Sequence, residues 1–410
     1  MPADLAPDAP ALTALSPRVE AMQPSATLAV SARAKALRRD GRDVIELSAG
    51  EPDFPTPAPI VAAAHQALRD ERFYYTANAG LPELREAIAE KLRRENGLAH
   101  VTAAHVVCSN GAKQSVAQTL LAACRPGDEV VFAAPYWVSY PEMARFAGAD
   151  PVAVPTRAAD GYRMTPEALR AALSPRTRVV LLNSPSNPTG AVYPPDELEA
   201  LAGVLRDFPD VLVVSDEIYE YVLFDAEHRA FASLDGMAGR TVTINGFSKG
   251  YAMTGWRLGY LAGPEWLARA VDKIQSQLTS APNTIAQVAA LAAFEMGHEP
   301  VRDMVRAFRE RRDAALAALE TMPGLVCPKP EGAFYLFPDV SALYGRRAPS
   351  GEVIGGSIAL CTYLLDAAEV ALVPGEAFGD DAGVRLSYAT GMDALAEALR
   401  RIAGALGALR

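Results

Sequence analysis

Five short runs of nearly unbroken hydrophobicity punctuate the chain: residues 128–133 (DEVVFA), 177–183 (TRVVLLN), 211–216 (VLVVSD), 241–245 (TVTIN) and 258–262 (LGYLA). They are rich in β-branched residues and are bounded by polar, Pro or Gly residues. They also lack the alternation of a half-solvated strand, so they predict strands covered on both faces. Helix-length segments lie between several of them. Residues 84–96 (LREAIAEKLRREN) predict an amphipathic helix with a mixed-charge outer face, and 112–123 and 195–206 predict further helices. Alternating strands and helices predict an α/β fold with a mostly parallel sheet sandwiched by helices. The character changes near residue 300. A long charged helix over 302–319 leads into a smaller α+β stretch. The expected division is a large domain over 58–300, with 1–57 (an arm plus part of the smaller domain) and 301–410 supplying the rest. Residues 1–20 are rich in Pro and Ala and are expected to fray.

In a parallel sheet, ligands collect beyond the carboxyl ends of the strands. Three of the predicted strands run straight into polar clusters there: TRVVLLN into SPSNPTG, VLVVSD into EIYE, and TVTIN into GFSKG. Lys249 lies in the last of these. A lysine just past a strand can form a Schiff base when its amine is desolvated or set among cations; the plainer reading is a surface lysine. Asp216 closes an otherwise apolar strand. It can serve a cationic partner such as a protonated pyridine nitrogen, or simply cap a helix. Tyr219, three residues on, can aim its hydroxyl at the same ligand. Arg257, between glycines, can grip a phosphate or form a surface ion pair. Ser109–Lys113 opens a helix with small residues, where free N–H groups can hold a phosphate. There is no G-x-G-x-x-G and no Walker A loop, so nicotinamide and nucleoside-triphosphate chemistry lacks support.

Composition narrows the class. The 39 Lys and Arg against 49 Asp and Glu leave a net charge of −10, which argues against nucleic acid or an anionic membrane as the main partner. Cys108, Cys124, Cys327 and Cys361 are scattered without a C-x-x-C, which suits a reduced compartment and neither a disulfide framework nor a zinc site. The first residues lack the basic-then-apolar pattern of a signal peptide, and the longest uncharged stretch, 274–294, is too polar to span a bilayer. A cytoplasmic enzyme that needs no metal is the expectation.

The ordered motifs are more specific than any single residue. They run LSAGEPDF (47–54), YTANAGLPELREAI (75–88), SNGAKQ (109–114), PYWVSYPEM (135–143), NSPSNPTG (183–190), SDEIYE (215–220), GFSKGYAMTGWRLGY (246–260), GAFY (332–335), PGEAFG (374–379) and VRLSYA (384–389). From about residue 17 to the C-terminus the chain resembles the class I (fold type I) pyridoxal-phosphate aminotransferases, in particular the bacterial aspartate aminotransferases. The resemblance implies pyridoxal 5′-phosphate as cofactor and a ping-pong exchange between an amino acid and a 2-oxo acid. It places Lys249 on the Schiff-base lysine that also moves the substrate's α-proton. Asp216 falls on the partner of the pyridine nitrogen, Asn187 and Tyr219 on the partners of the ring oxygen, and Trp137 on the stacking aromatic. Gly111, Ala112, Ser248 and Arg257 fall around the phosphate. Tyr75 falls on a tyrosine that reaches the phosphate of the other subunit, which implies a homodimer with shared active sites. Arg385, helped by the backbone of Gly50, falls on the clamp for the α-carboxylate. Gly246 stands where some aspartate aminotransferases have a phosphate-binding serine.

Substrate choice is implied more thinly. Some aspartate aminotransferases bind the side-chain carboxylate with an arginine from the partner subunit, which would lie in or near 275–287. That segment holds no Arg or Lys. The subgroup that this chain resembles uses a lysine and a threonine instead, here Lys113 and Thr27. Aspartate and glutamate with 2-oxoglutarate and oxaloacetate are therefore the expected substrates. Prephenate, and aromatic or neutral amino acids, are the alternatives. Relatives that take prephenate tend to carry a basic residue before P-S-x-T, where this chain has Gln23. β-Elimination or decarboxylation on the same cofactor, and a ligand sensor within a transcription regulator, are weaker alternatives. The regulator reading lacks a basic DNA-binding domain ahead of the first motif.

Overall fold

The computed structural model describes residues 15–410. Residues 1–14, which carry most of the stretch expected to fray, lie outside the described residues. After a short strand β1 (Ile45–Glu46), the chain lays down β2 (Val106–Ser109), β3 (Glu129–Ala134), β4 (Asp150–Pro155), β5 (Thr177–Asn183), β6 (Leu212–Asp216), β7 (Thr241–Gly246) and β8 (Gly259–Ala262). Four short strands follow: β9 (Tyr335–Leu336), β10 (Val370–Ala371), β11 (Val373–Pro374) and β12 (Val384–Ser387).

Strands β2 to β8 form one seven-stranded sheet in the order β2-β8-β7-β6-β5-β3-β4. Strands β4, β3, β5, β6 and β7 run parallel, and β8 is antiparallel to both β7 and β2. All five hydrophobic runs are strands of this sheet, to within a residue at each end. Their lack of alternation has a simple cause. Val179 and Leu181 of β5 pack on one face, with Phe132, Val214 and Ile244, beneath Val116 and Leu120 of the helix Ala112–Ala123. Val180 and Leu182 pack on the other, with Val131 and Val213, against Leu198 and Leu201 of the helix Pro195–Arg206. Both faces are dry, so neither set of side chains can be polar.

Strand β4 was not foreseen. It is the sheet's edge, it is only partly buried, and it carries Pro151 and Pro155. A proline is tolerated there because an edge strand need not donate on its outer side.

The long charged segment is the helix Glu299–Glu320. Its Phe308, Leu316 and Leu319 join a second core with Phe334, Leu364, Leu386 and Leu399. Strand β1 pairs in parallel with β10, and the N–H of Ser387 donates to the carbonyl of Leu47 at 2.8 Å. These bonds tie the segment around residue 48 to β12. The two lie together against the carboxyl ends of β5, β6 and β7. All four cysteines are free, and no helix among the described residues is long and apolar enough to cross a membrane.

Candidate active site

Asp216 is the last residue of β6 and is buried. No helix starts behind it, so it is not a helix cap. Its Oδ2 accepts the Tyr140 hydroxyl at 2.7 Å, and its Oδ1 accepts the N–H of Ile218 at 3.3 Å. Burial still lifts its carboxyl to about 6, against the pull of those two donors. At the end of β5, Asn183 donates its amide to the Asp216 carbonyl and accepts the N–H of Asn187 at 2.8 Å. The loop that carries Asn187 is thereby pinned beside β6.

Lys249 follows β7 by three residues and is half-buried. Its amine donates to the carbonyl of Gly50 and lies 5.8 Å from the centre of the Tyr219 ring. Burial lowers its pKa to about 8. Arg385 and Arg257 push the same way, and Glu51 and Asp216 oppose them. Roughly a tenth of such an amine is neutral at pH 7, far more than for a solvated lysine. A neutral amine is what nucleophilic attack on a carbonyl requires.

Arg385, on β12, is 2 % exposed. Its Nη1 donates to Asn187 Oδ1 at 3.0 Å and its Nη2 to the carbonyl of Ser48 at 2.6 Å, while its Nε has no partner. The rings of Tyr335 and Phe378 lie 4.6 and 5.1 Å from its guanidinium. A buried cation matched only by neutral acceptors and ring faces is costly until an anion joins it. The planar fork suits a carboxylate.

Glycines shape the opposite end of the cavity. Arg257 has a left-handed backbone, φ 54°, and its Nη2 reaches the carbonyl of Asn110 at 3.3 Å. A Cβ on Gly111 would come within 2.6 Å of that Nη2, so a glycine is needed for the guanidinium to approach. Gly111 also has φ 87° and precedes the helix Ala112–Ala123, whose first N–H groups have no carbonyl partner within the helix. A Cβ on Gly246 would lie 2.7 Å from the Cα of Gly259. The packing of β7 on β8 therefore excludes a serine at 246. Ser248 is buried beside Lys249. Lys113, at the mouth, sets its amine 4.9 Å from the centre of the Trp137 ring. Its pKa is lowered, first by partial desolvation and then by Arg257.

These side chains share one cavity of about 570 Å³, which Thr27, Gly50, Ala112, Trp137, Asn187 and Tyr219 also line. Two of the expected residues stand apart from it. Gly111 sits behind Arg257, and Tyr75 is 96 % exposed on the surface. Two others were not anticipated. Tyr140 holds Asp216, and Tyr335 meets the Tyr219 hydroxyl at 2.8 Å. Both fall inside motifs quoted above, but a tyrosine does not announce its partner. The segment 275–287, which lacks a basic residue, has another task. Gln275 donates to the carbonyls of Asn78 and Cys108, and Gln287 accepts the N–H of Leu81, so together they hold the loop that follows Tyr75.

The model of the family "Aminotransferase class I and II" matches residues 42–402. The chain belongs to this family. This aminotransferase is 52 % identical, over 96 % of its length and 82 % of the relative's, to a bifunctional aspartate aminotransferase and glutamate/aspartate-prephenate aminotransferase of Petunia hybrida. It is 46 % identical to an aspartate/prephenate aminotransferase of Nitrosomonas europaea, covering 96 % of this chain and 99 % of that one. Among solved structures, the aspartate aminotransferase of Rhizobium meliloti superimposes with a TM-score of 0.93 at 42 % identity, covering 97 % of this chain and all of the other. That of Thermus thermophilus with maleate does so with a TM-score of 0.90 at 46 % identity, over 96 % and 99 %.

Proposed function

We propose that this aminotransferase binds pyridoxal 5′-phosphate and transfers the amino group between L-aspartate or L-glutamate and 2-oxoglutarate or oxaloacetate. The observation that carries the reading is a buried guanidinium without a counter-ion, Arg385, in the same cavity as a desolvated lysine and a buried aspartate. The residues fit the cofactor. Lys249 would hold it covalently through Nζ, and Asp216 would face the ring nitrogen. Asn187 and Tyr219 would meet the ring oxygen, and Trp137 would stack on the ring. Arg257, Ser248 and the free N–H groups that open the helix at Ala112 would take the phosphate, while the Gly111 N–H is already given to the carbonyl of Ser109. When bound, the cofactor supplies a protonated ring that spreads negative charge developing at the substrate's α-carbon.

The protein's own residues do the rest. Arg385, with the Gly50 backbone, orients the α-carboxylate so that the Cα–H points at Lys249. Once the substrate's amino group has taken its place on the cofactor, the freed Lys249 amine would take that proton at Nζ and carry it away from Cα. Asp216 keeps its negative charge where a cation must be held. Tyr140 supports that ionised state by donating to Oδ2. Lys113 and Thr27 face the substrate's second carboxylate. Gln23 puts no cation beside them, so dicarboxylic amino acids come first and prephenate, named for the Nitrosomonas relative, second.

The enzyme works as a cytoplasmic homodimer in this reading. Phe73, Tyr74 and Tyr75 are consecutive exposed aromatics, yet the loop beside them is held: Thr284 donates to the Tyr74 carbonyl at 2.7 Å, and Gln287 donates to the Thr76 hydroxyl at 3.2 Å. A rigid loop that shows three aromatics suits a second copy of the chain.

The test is optical. The purified enzyme should show the visible band of lysine-bound cofactor. Adding L-aspartate alone should replace it with a near-ultraviolet band, and 2-oxoglutarate should restore it. Response only to aromatic or neutral amino acids would overturn the roles of Lys113 and Thr27. No uptake of the cofactor would overturn the reading as a whole.

A further inference from the structure

Behind the carboxyl end of β6 lies a second group of charges that the proposed chemistry does not use. The segment 215–220 sends its side chains two ways. Asp216, Ile218 and Tyr219 line the cavity, while Ser215, Glu217 and Glu220 are buried away from it. Glu217 Oε1 accepts from the Ser215 hydroxyl at 2.8 Å and from the N–H of Phe231 at 3.2 Å. Its Oε2 lies 2.9 Å from His228 Nε2, which is also 3.8 Å from Glu220 Oε2. Lys91, on the helix Pro82–Asn96, reaches in to donate to Glu220 and to Asn96 Oδ1, and Asn96 donates in turn to Glu220 Oε2 at 2.8 Å.

Glu217, Glu220 and His228 bring ligand atoms within 4.8 Å of one another, a spacing that a metal ion could use. Lys91 already stands against them as the cation. We propose that Lys91, Glu217, Glu220 and His228 are positioning residues: a buried, charge-balanced lock of two anions and two cations that fixes the turn bearing Asp216 and Tyr219. The proposal rests on the aminotransferase reading of the cavity.

Charge balance supplies the physical reason. A buried carboxylate without a partner is costly, so two acids here need two cations. Lys91 is one. His228 is the other if it keeps its proton. Burial pulls its pKa down, but Glu217 and Glu220 outweigh that and raise it, with Lys91 opposing. These are the charged groups that face the ring from the turn and from the helix. The same surroundings act on Glu220: burial raises its pKa, and Lys91, His228 and Asn96 bring it below the usual value. A neutral His228 would leave one uncompensated anion behind Asp216, whose ionisation Glu217 already opposes. The backbone adds to the lock, since the N–H of Glu217 donates to Ile244 at 2.9 Å and that of Val222 to Tyr219 at 2.7 Å.

The test uses His228→Gln and the double variant Lys91→Met with Glu220→Leu, which removes both charges of one pair together. The pH midpoint of the visible band of the loaded enzyme should move by about half a unit or more. The kcat should fall about tenfold with KM within about twofold. Lys91→Arg should behave like the unmodified enzyme. An NMR titration of the cofactor-free enzyme should find the His228 ring holding its proton to a higher pH than an ordinary histidine. A lower melting temperature with unchanged band midpoint and kcat would reduce the group to ordinary structure and overturn the proposal. A His228 ring neutral at pH 7 would overturn its charge balance. If the unmodified enzyme takes up no pyridoxal phosphate, the functional reading fails, and the NMR titration still judges the lock.

Discussion

Replacing Asp216 by asparagine should stabilise the cofactor-free enzyme while destroying its activity. Burial moves this carboxyl from 3.8 to about 6 in the folded chain. The folded state therefore binds more protons than the unfolded state between those values. The contribution of Asp216 is fully favourable below about pH 4 and is lost as pH rises through about 6. Roughly two pKa units correspond to on the order of 3 kcal/mol, so at about pH 8 the ionised carboxylate costs the empty site that much. Asparagine removes the charge and keeps the shape. Its carbonyl oxygen can still accept from Ile218, and its amide can donate to the Tyr140 hydroxyl oxygen. Urea unfolding of the cofactor-free proteins, run from pH 4 to 8, is the assay. The variant should be the more stable by up to about 3 kcal/mol at the upper end, and the difference should fade below about pH 5. Turnover of the loaded variant should fall by about a hundredfold or more, because the neutral amide cannot balance a protonated ring nitrogen. A variant less stable than the parent at pH 8, or a difference that ignores pH, would refute the argument that Asp216 is held at a cost for a cationic partner.

Tyr140→Phe deletes the donor to Asp216 Oδ2, worth about 1.5–3 kcal/mol; the pH at which stability drops in the cofactor-free enzyme should rise by a unit or more in the same unfolding series. Arg385→Met should lower kcat/KM for aspartate by about 2–5 kcal/mol, a factor of thirty to several thousand. Calorimetry should nonetheless find its melting temperature within a few degrees of the parent's, since the change removes an uncompensated buried cation along with two hydrogen bonds. Lys113→Gln should raise KM for aspartate and 2-oxoglutarate about tenfold or more and leave that for a neutral amino acid unchanged; equal losses on both substrates would place Lys113 outside the side-chain pocket. Mixing inactive Lys249→Ala with inactive Tyr75→Ala should restore some activity, because one of the two sites in a mixed dimer then has both intact residues; a mixture that stays inactive would exclude a shared site.

Much of the fold was legible because burial on both faces leaves a strong mark. Val179, Val180, Leu181 and Leu182 must all be apolar when helices cover both sides of β5. Strand β4 left no such mark, since an edge strand with two prolines reads as a loop. The pairing of β1 with β10 was also hidden, because it joins residues more than three hundred positions apart through two short strands. At the site, Asp216 and Lys249 were noticeable as polar residues at and just past the ends of apolar strands, and Arg257 as a cation between glycines. Tyr140, Tyr335 and Asn183 were not, because their hydrogen bonds join separate segments.

What the sequence determined by itself was the α/β alternation, the edge of the sheet that carries polar residues, and the ordered motifs that mark the family. These follow from local rules: apolar periodicity, strand-end chemistry and glycines where a backbone must come close. Only the tertiary structure decided the charges. Burial takes Lys249 down to about 8 and Asp216 up to about 6, and it leaves Arg385 without an anion. The same folding gathers Lys91, Glu217, Glu220 and His228 behind the turn that follows β6. A pKa belongs to an environment, and an environment exists only once distant segments have packed around the group and excluded water.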